Sequence, residues 1–219
     1  MFNKRAVIAT VALILMGAQA AQADDNLWIG AKVGTLGLGL EGTWQALPYL
    51  DLRVGFNSYD YSDDRSEAGI DYTGTLELST LFATANLRVP LSPFRVTAGI
   101  FSNDNKLALV GLDTGSYDIG GATYPSAQIG TLRSETTFDK TAPYAGIGFD
   151  IRIMNKVGLN IDLGVLWQGS PMVAMAADGP LGTDPAFLSE LELERIQFED
   201  DIKDFKAYPV ISLGLSYRF

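Results

Sequence analysis

The charged residues Lys32, Arg53, Arg88, Arg95, Arg152 and Arg218, with the acids Glu41, Asp51, Asp150 and Asp162, hold most of the chemistry open to this chain. Each alternates one by one with apolar neighbours, which sets it on the strand face opposite a greasy one. Guanidinium, ammonium and carboxylate groups so arranged can pair with one another in a confined interior. They can equally line a polar route for small solutes. Glu77 is a further candidate for the same set. Covalent and metal chemistry are poorly served, because the chain has no His and no Cys. Ser-His or Cys-His nucleophile activation, imidazole or thiolate metal sites and disulfides all lack their residues. The acid pairs Asp63-Asp64 and Asp200-Asp201 lie in acidic stretches that read as solvent-facing. The expectation is no catalytic residue, no cofactor and no metal, hence no enzyme.

A second acidic set, Asp60, Asp63, Asp64, Glu67 and Asp71, lies in one segment. Glu190, Glu192, Glu194, Glu199, Asp200, Asp201 and Asp204 lie in another. Gathered at a pore mouth, such residues would concentrate cations; spread over a surface, they would only be solvated. The net charge is −10, and loss of Lys4 and Arg5 with an N-terminal leader would make it more negative. That balance excludes a nucleic-acid partner.

The elements that must position these groups are strands. In the last thirteen residues, Pro209, Ile211, Leu213, Leu215, Tyr217 and Phe219 alternate with Tyr208, Val210, Ser212, Gly214, Ser216 and Arg218. A greasy face opposite a small polar one suits a barrel wall between lipid and a polar lumen. The same alternation recurs near residues 27–34, 36–45, 50–57, 94–100, 144–153 and 158–167, with Trp28 on the polar side of the first. Near 72–89 the parity breaks: Leu81 to Val89 keep one face and Leu76 and Leu78 take the other. Either a bulge near Ser79–Leu81 switches faces, or the upper part stands above the membrane. Lys4 and Arg5 before an apolar run, then Ala21-Gln22-Ala23, predict a signal peptide over 1–23. No later stretch approaches the roughly 20 apolar residues of a spanning helix, so strands must do the crossing. Residues 24–219 therefore predict one domain, an all-β, eight-stranded antiparallel transmembrane barrel in the outer membrane of a Gram-negative cell.

Turns near Ala46–Pro48, Pro90–Pro93 and Met154–Lys156 are short and belong on the periplasmic side. Extracellular loops are expected at about 58–71, 102–140 and 168–206. Trp44, Phe94, Tyr217 and Phe219 below and Trp167 above suit interfacial girdles. Ser116–Gly130 reads as a hairpin turning at Gly120-Gly121. Asp184-Pro185 opens a helix to about Asp204, with Leu188, Leu191, Phe198, Ile202 and Phe205 as its apolar stripe. That helix either packs on strand extensions or forms a lid.

Trp44-Gln45-Ala46-Leu47-Pro48-Tyr49, Ala142-Pro143-Tyr144-Ala145-Gly146-Ile147-Gly148-Phe149, Gln168-Gly169-Ser170-Pro171 and Phe205-Lys206-Ala207-Tyr208-Pro209-Val210 occur in this order. Together they resemble a family of proteobacterial outer-membrane barrels related to the carbapenem-associated ornithine-uptake porin. The resemblance implies the fold and the location, and a relative whose proposed cargo is basic amino acids. Its motifs are turns, glycines and girdle residues, so it transfers no ligand contact. Two functions are expected in order: a narrow porin for uptake or binding of small cationic or zwitterionic solutes such as basic amino acids, or a non-conducting structural or surface-interaction barrel. The partners expected are outer-membrane lipid and lipopolysaccharide, a small solute, and the barrel-assembly machinery reading the strand that ends at Phe219.

Overall fold

The computed structural model describes residues 26–67, 70–111, 115–153 and 156–218, with side chains omitted over 65–71. The leader expected at 1–23 and the terminal Phe219 lie outside the described residues. Strands β1 (Leu27–Gly34), β2 (Gly37–Leu47), β3 (Leu50–Glu67), β4 (Ile70–Arg88) and β5 (Phe94–Asn103) follow one another. A long insertion holds β6 (Lys106–Gly111), β7 (Ser116–Ile119), β8 (Ala122–Pro125), the short helix α1 (Ser126–Ile129) and β9 (Leu132–Thr137). After β10 (Thr141–Arg152) and β11 (Val157–Trp167) come β12 (Met172–Ala177), helix α2 (Pro185–Ile202) and the closing strand β13 (Ala207–Arg218).

Eight of these strands close on themselves in the order β4-β3-β2-β1-β13-β11-β10-β5, and β5 returns to β4. Every pairing around the ring is antiparallel, so no barrel edge is left to seek a partner in lipid. Burial is inverted relative to a water-soluble protein. Leu38, Val54, Leu81, Ile100, Leu213 and Leu215 are exposed, whereas Asn57, Asn86, Arg95, Thr97 and Asn103 are buried. An apolar exterior around a polar interior is the signature of a wall wetted by hydrocarbon. Trp44, Phe94 and Tyr217 ring the short-turn end of that wall and Trp167 the other, all exposed, as the alternation predicts.

The parity break in β4 is not a bulge. The β3–β4 register runs without a shift from Leu50↔Leu87 to Glu67↔Ile70. What changes is the partner: β4 pairs with β5 up to Thr80↔Asn103 and then with β6 from Glu77↔Lys106. Leu76 and Leu78 therefore belong to an extension above the barrel, where the lipid rule no longer applies. Of the segment 58–71, expected as a loop, the described residues 58–67 and 70–71 are instead the upper part of β3 and β4. β6, β9 and β12 continue the same sheet outward as an extracellular wing.

The expected hairpin is present as β7 and β8, turning at Gly120 (φ 60°) and Gly121 (φ 84°). Two successive positive φ angles define the turn that matches strand twist, and glycine adopts them without steric cost. Helix α2 begins as expected, with Asp184 Oδ1 accepting from Ala186 N at 2.9 Å and Phe187 N at 3.1 Å. Its buried stripe keeps Leu191 of the expected one and takes Phe187 in place of Leu188. Phe187 and Leu191 are buried with Tyr117, Ile119 and Ile129, while Leu188 and Phe205 are exposed. The Phe187 ring meets Tyr124 edge-on at 5.2 Å. Arg195 ties the helix to β12 through the carbonyl of Val173, and Glu199 accepts from Val173 N. The helix is a packed cap on the wing and hairpin.

Asp178 clasps two insertions together by accepting from Thr131 N at 2.6 Å and from Arg133 Nη1 at 3.0 Å. The Thr131 amide, and then the Arg133 guanidinium, hold its carboxyl below the ordinary value of 3.8. A depressed folded pKa contributes stability above the unfolded value and loses it as pH falls through the folded one. The clasp is thus intact at neutral pH and is lost as pH falls below 3.8 and through the folded pKa. The protection factor of the Thr131 amide, its exchange relative to the unstructured rate at the same pH, should fall in that window; Asp178→Asn should be less protected at neutral pH and show no acid step.

Candidate functional site

The lumen is built as two layers. In the lower one, charges form a single alternating chain across the barrel. Lys32 Nζ lies 3.2 Å from Glu41, whose other oxygen lies 3.6 Å from Arg53 Nε. Arg53 Nη1 reaches Asp162 at 3.3 Å, and Asp162 Oδ1 accepts from Arg95 Nη2 at 2.5 Å. Arg95 Nε then donates to both oxygens of Asp150 at 2.9 and 3.0 Å. Three bases alternate with three acids drawn from β1, β2, β3, β5, β10 and β11, so the chain stitches most of the circumference together. A separate pair, Arg88 with Asp51, lies toward the periplasmic side.

Neutral groups satisfy part of what the ions leave over, while Arg53 Nε, Arg88 Nε and Asn86 Nδ2 keep no hydrogen-bond partner. Arg95 Nη1 donates to Thr97 Oγ1 at 2.9 Å and Asn86 Oδ1 at 3.3 Å; Ser212 Oγ donates to Asp162, and Asn160 Nδ2 to Asp150. The Arg95 side chain is 0% exposed. It fits because β10 carries Gly148 beside it, where a Cβ would run into the guanidinium. Buried charge of this kind is tolerable only when paired and hydrogen-bonded.

The upper layer is apolar. Phe82, Phe101, Tyr144, Leu166 and Val210 point inward from five strands, and Leu36 folds in from the β1–β2 turn; none is more than 7% exposed. Phe101 is the hinge of the stack, 5.1 Å from the Phe82 ring and 5.2 Å from Tyr144. Lys32 Nζ sits 3.9 Å from the Phe82 centroid and so joins the two layers. Between them remains a cavity of about 20 Å³, room for about one water. Below the ions, a vestibule of about 500 Å³ opens between the turns at Pro48-Tyr49 and Pro90–Pro93.

Of the ten predicted lumen residues, eight form these two ion clusters. Arg152 and Arg218 instead stand at the periplasmic rim, each 5.8 Å from the ring of the inward Trp28. Glu77 is not in the lumen: it pairs with Lys106 on the outer face of the wing, because β4 has left the barrel by that point. Among the described residues, the acids of the expected mouth do not share one face. Alternation along β3 sends Asp60 and Asp64 to the face of Glu77 and Asp63 to the opposite one. Asp64 accepts from Thr73 at 2.7 Å. The side chains of Glu67 and Asp71 lie outside those described. The apolar layer was missed in the sequence, although Phe82, Phe101 and Tyr144 fall on the inward parity of their strands.

Asp162 joins two arginines, so Asp162→Asn leaves both short of an anion. It should destabilise the barrel by about 3–5 kcal/mol, the cost of breaking a buried pair. Arg152→Gln, which removes no ion pair, should stay within about 0.5 kcal/mol. Urea unfolding in detergent micelles compares the two.

The comparisons with known proteins follow the architecture. No family model and no curated protein matches the sequence. Among solved structures, CarO2 of Acinetobacter baumannii is 25% identical with a TM-score of 0.60, over 88% of this chain and 98% of that one. CarO of Acinetobacter baumannii is 23% identical with a TM-score of 0.57, over 91% and 100%. The likeness spans nearly all of each of those two chains. The chain is an eight-stranded β-barrel of the bacterial outer membrane, similar in fold to the CarO barrels.

Proposed function

We propose that this barrel is closed at rest and serves as a rigid anchor that presents its extracellular wing, hairpin and helix at the cell surface, without catalysis. The observation carrying this reading is the stacking of the aromatic layer directly on the ion layer, with space for about one water between them. Passage of a solute would require opening the Phe82–Phe101–Tyr144 stack and separating the Asp162 pairs together. Each is a fully buried arrangement, and partial opening would leave a charge without its counter-ion. Under this reading the lumen is the barrel's core. The wall lies in lipid, with lipopolysaccharide around the wing, and the strand ending at Phe219 is what the assembly machinery reads.

A narrow porin for basic or zwitterionic solutes is the competing reading, and the resemblance to an ornithine-uptake porin favours it. Solute flux separates the two. Proteoliposomes holding the refolded barrel should take up labelled lysine, ornithine and glycine no faster than protein-free liposomes. In a planar bilayer they should show no unitary current. Uptake of any of the three above the lipid background would replace the closed-barrel reading with the porin one.

A further inference from the structure

The vestibule below the ion layer has no part in a closed anchor. Its volume of about 500 Å³ falls in the range of small-molecule sites. Its rim is stiffened by Pro48, Pro90 and Pro93. It opens on the side of the short turns, toward the periplasm, and its floor is Glu41, Arg53 and Asp150.

The state of the charges in it is asymmetric. Every acid is engaged: Asp51 by Arg88, Asp150 by Arg95 and Asn160, Glu41 by Lys32 and Arg53. The bases are not equally used. Arg152 lies over Trp28 and has no carboxylate partner among the described residues. Arg88 has Asp51 as its one acid. A guanidinium carries five N–H donors in a fixed fork that matches a carboxylate or phosphate. A wall whose acids are each ion-paired and whose guanidinium donors are in excess selects an anion. Glu41 Oε2 and Asn160 Oδ1 accept no hydrogen bond, and the neutral Asn160 Oδ1 suits a hydroxyl on the same ligand.

We propose that this vestibule binds a small oxyanion, a carboxylate or phosphate, entering from the periplasm, with Arg152 as its principal contact and Trp28 as the platform beside it. The selectivity is opposite in sign to a cation funnel, and it follows from which partners are spent. Binding here requires no passage through the apolar layer, so it is read independently of flux.

The test uses the full mature barrel folded in neutral detergent, with Trp44→Phe and Trp167→Phe so that Trp28 alone reports. Inorganic phosphate and succinate are titrated against sodium chloride of matched ionic strength, with lysine as the cationic probe. A saturable change in Trp28 emission is expected with at least one oxyanion and not with chloride or lysine. Arg152→Gln should weaken it by about tenfold or more, the loss of one charge-assisted contact. Calorimetry on the protein with all three tryptophans should give the same order of probes without any variant. No saturable response to either oxyanion, equal affinity in folded Arg152→Gln, or tighter binding of lysine would overturn the proposal.

Discussion

Eight strands closed into a cylinder leave an interior that side chains alone can fill, and in this barrel the side chains aimed there include ions. That constraint governs the rest. Asp162 can be buried only because Arg53 and Arg95 approach from opposite sides, and Arg95 can be buried only because Asp150, Asn86 and Thr97 take its remaining donors. Small residues follow from the same demand. Gly148 lies against the Arg95 guanidinium and Gly164 against the Tyr144 ring, where any side chain would collide. The barrel is a soluble protein's core turned inside out, with ion pairs where leucines would be and leucines where solvent would be.

The apolar layer answers a different requirement. The extracellular end of the lumen is one of two from which water could reach the ion chain, and hydration from both sides would weaken its pairs further. Phe82, stacked on Phe101, and Tyr144, tilted against it, seal that end, and Lys32 spans the junction by pairing with Glu41 while facing the Phe82 ring. The periplasmic end is left open as a vestibule. The two ends of the lumen are therefore unequal, one dry and sealed, the other wet and charged.

Much of this was legible in the sequence because lipid enforces strict alternation. Each barrel strand exposes one parity to hydrocarbon, and that parity identified the inward set, including Trp28, from residue types alone. Legibility failed where lipid stops. Leu76 and Leu78 broke the pattern because β4 rises above the membrane and changes partner. Asp60, Asp63 and Asp64 looked like one acidic patch because neighbours in sequence look like neighbours in space. An extended strand sends alternate residues to opposite faces. The helix stripe is right at Leu191 and wrong at its start, where Phe187 rather than Leu188 is buried because it docks on Tyr124, a tertiary contact no periodicity encodes. The aromatic plug was hidden for a subtler reason. Single inward rings on three strands, with one aliphatic side chain on each of two more, form no local motif, and they become a layer only when the register aligns them.

The central claim is that lumen charges act as a mutually satisfied core. A double-mutant cycle on Arg95 and Asp162 tests it most directly, with Arg95→Met, Asp162→Asn and the double variant unfolded by urea in the same micelles. The account predicts that the double variant is far less damaged than the two single losses together, with a coupling of about 2 kcal/mol or more. Additivity within about 0.5 kcal/mol would mean that the two side chains act as strangers in a hydrated lumen, and would contradict it.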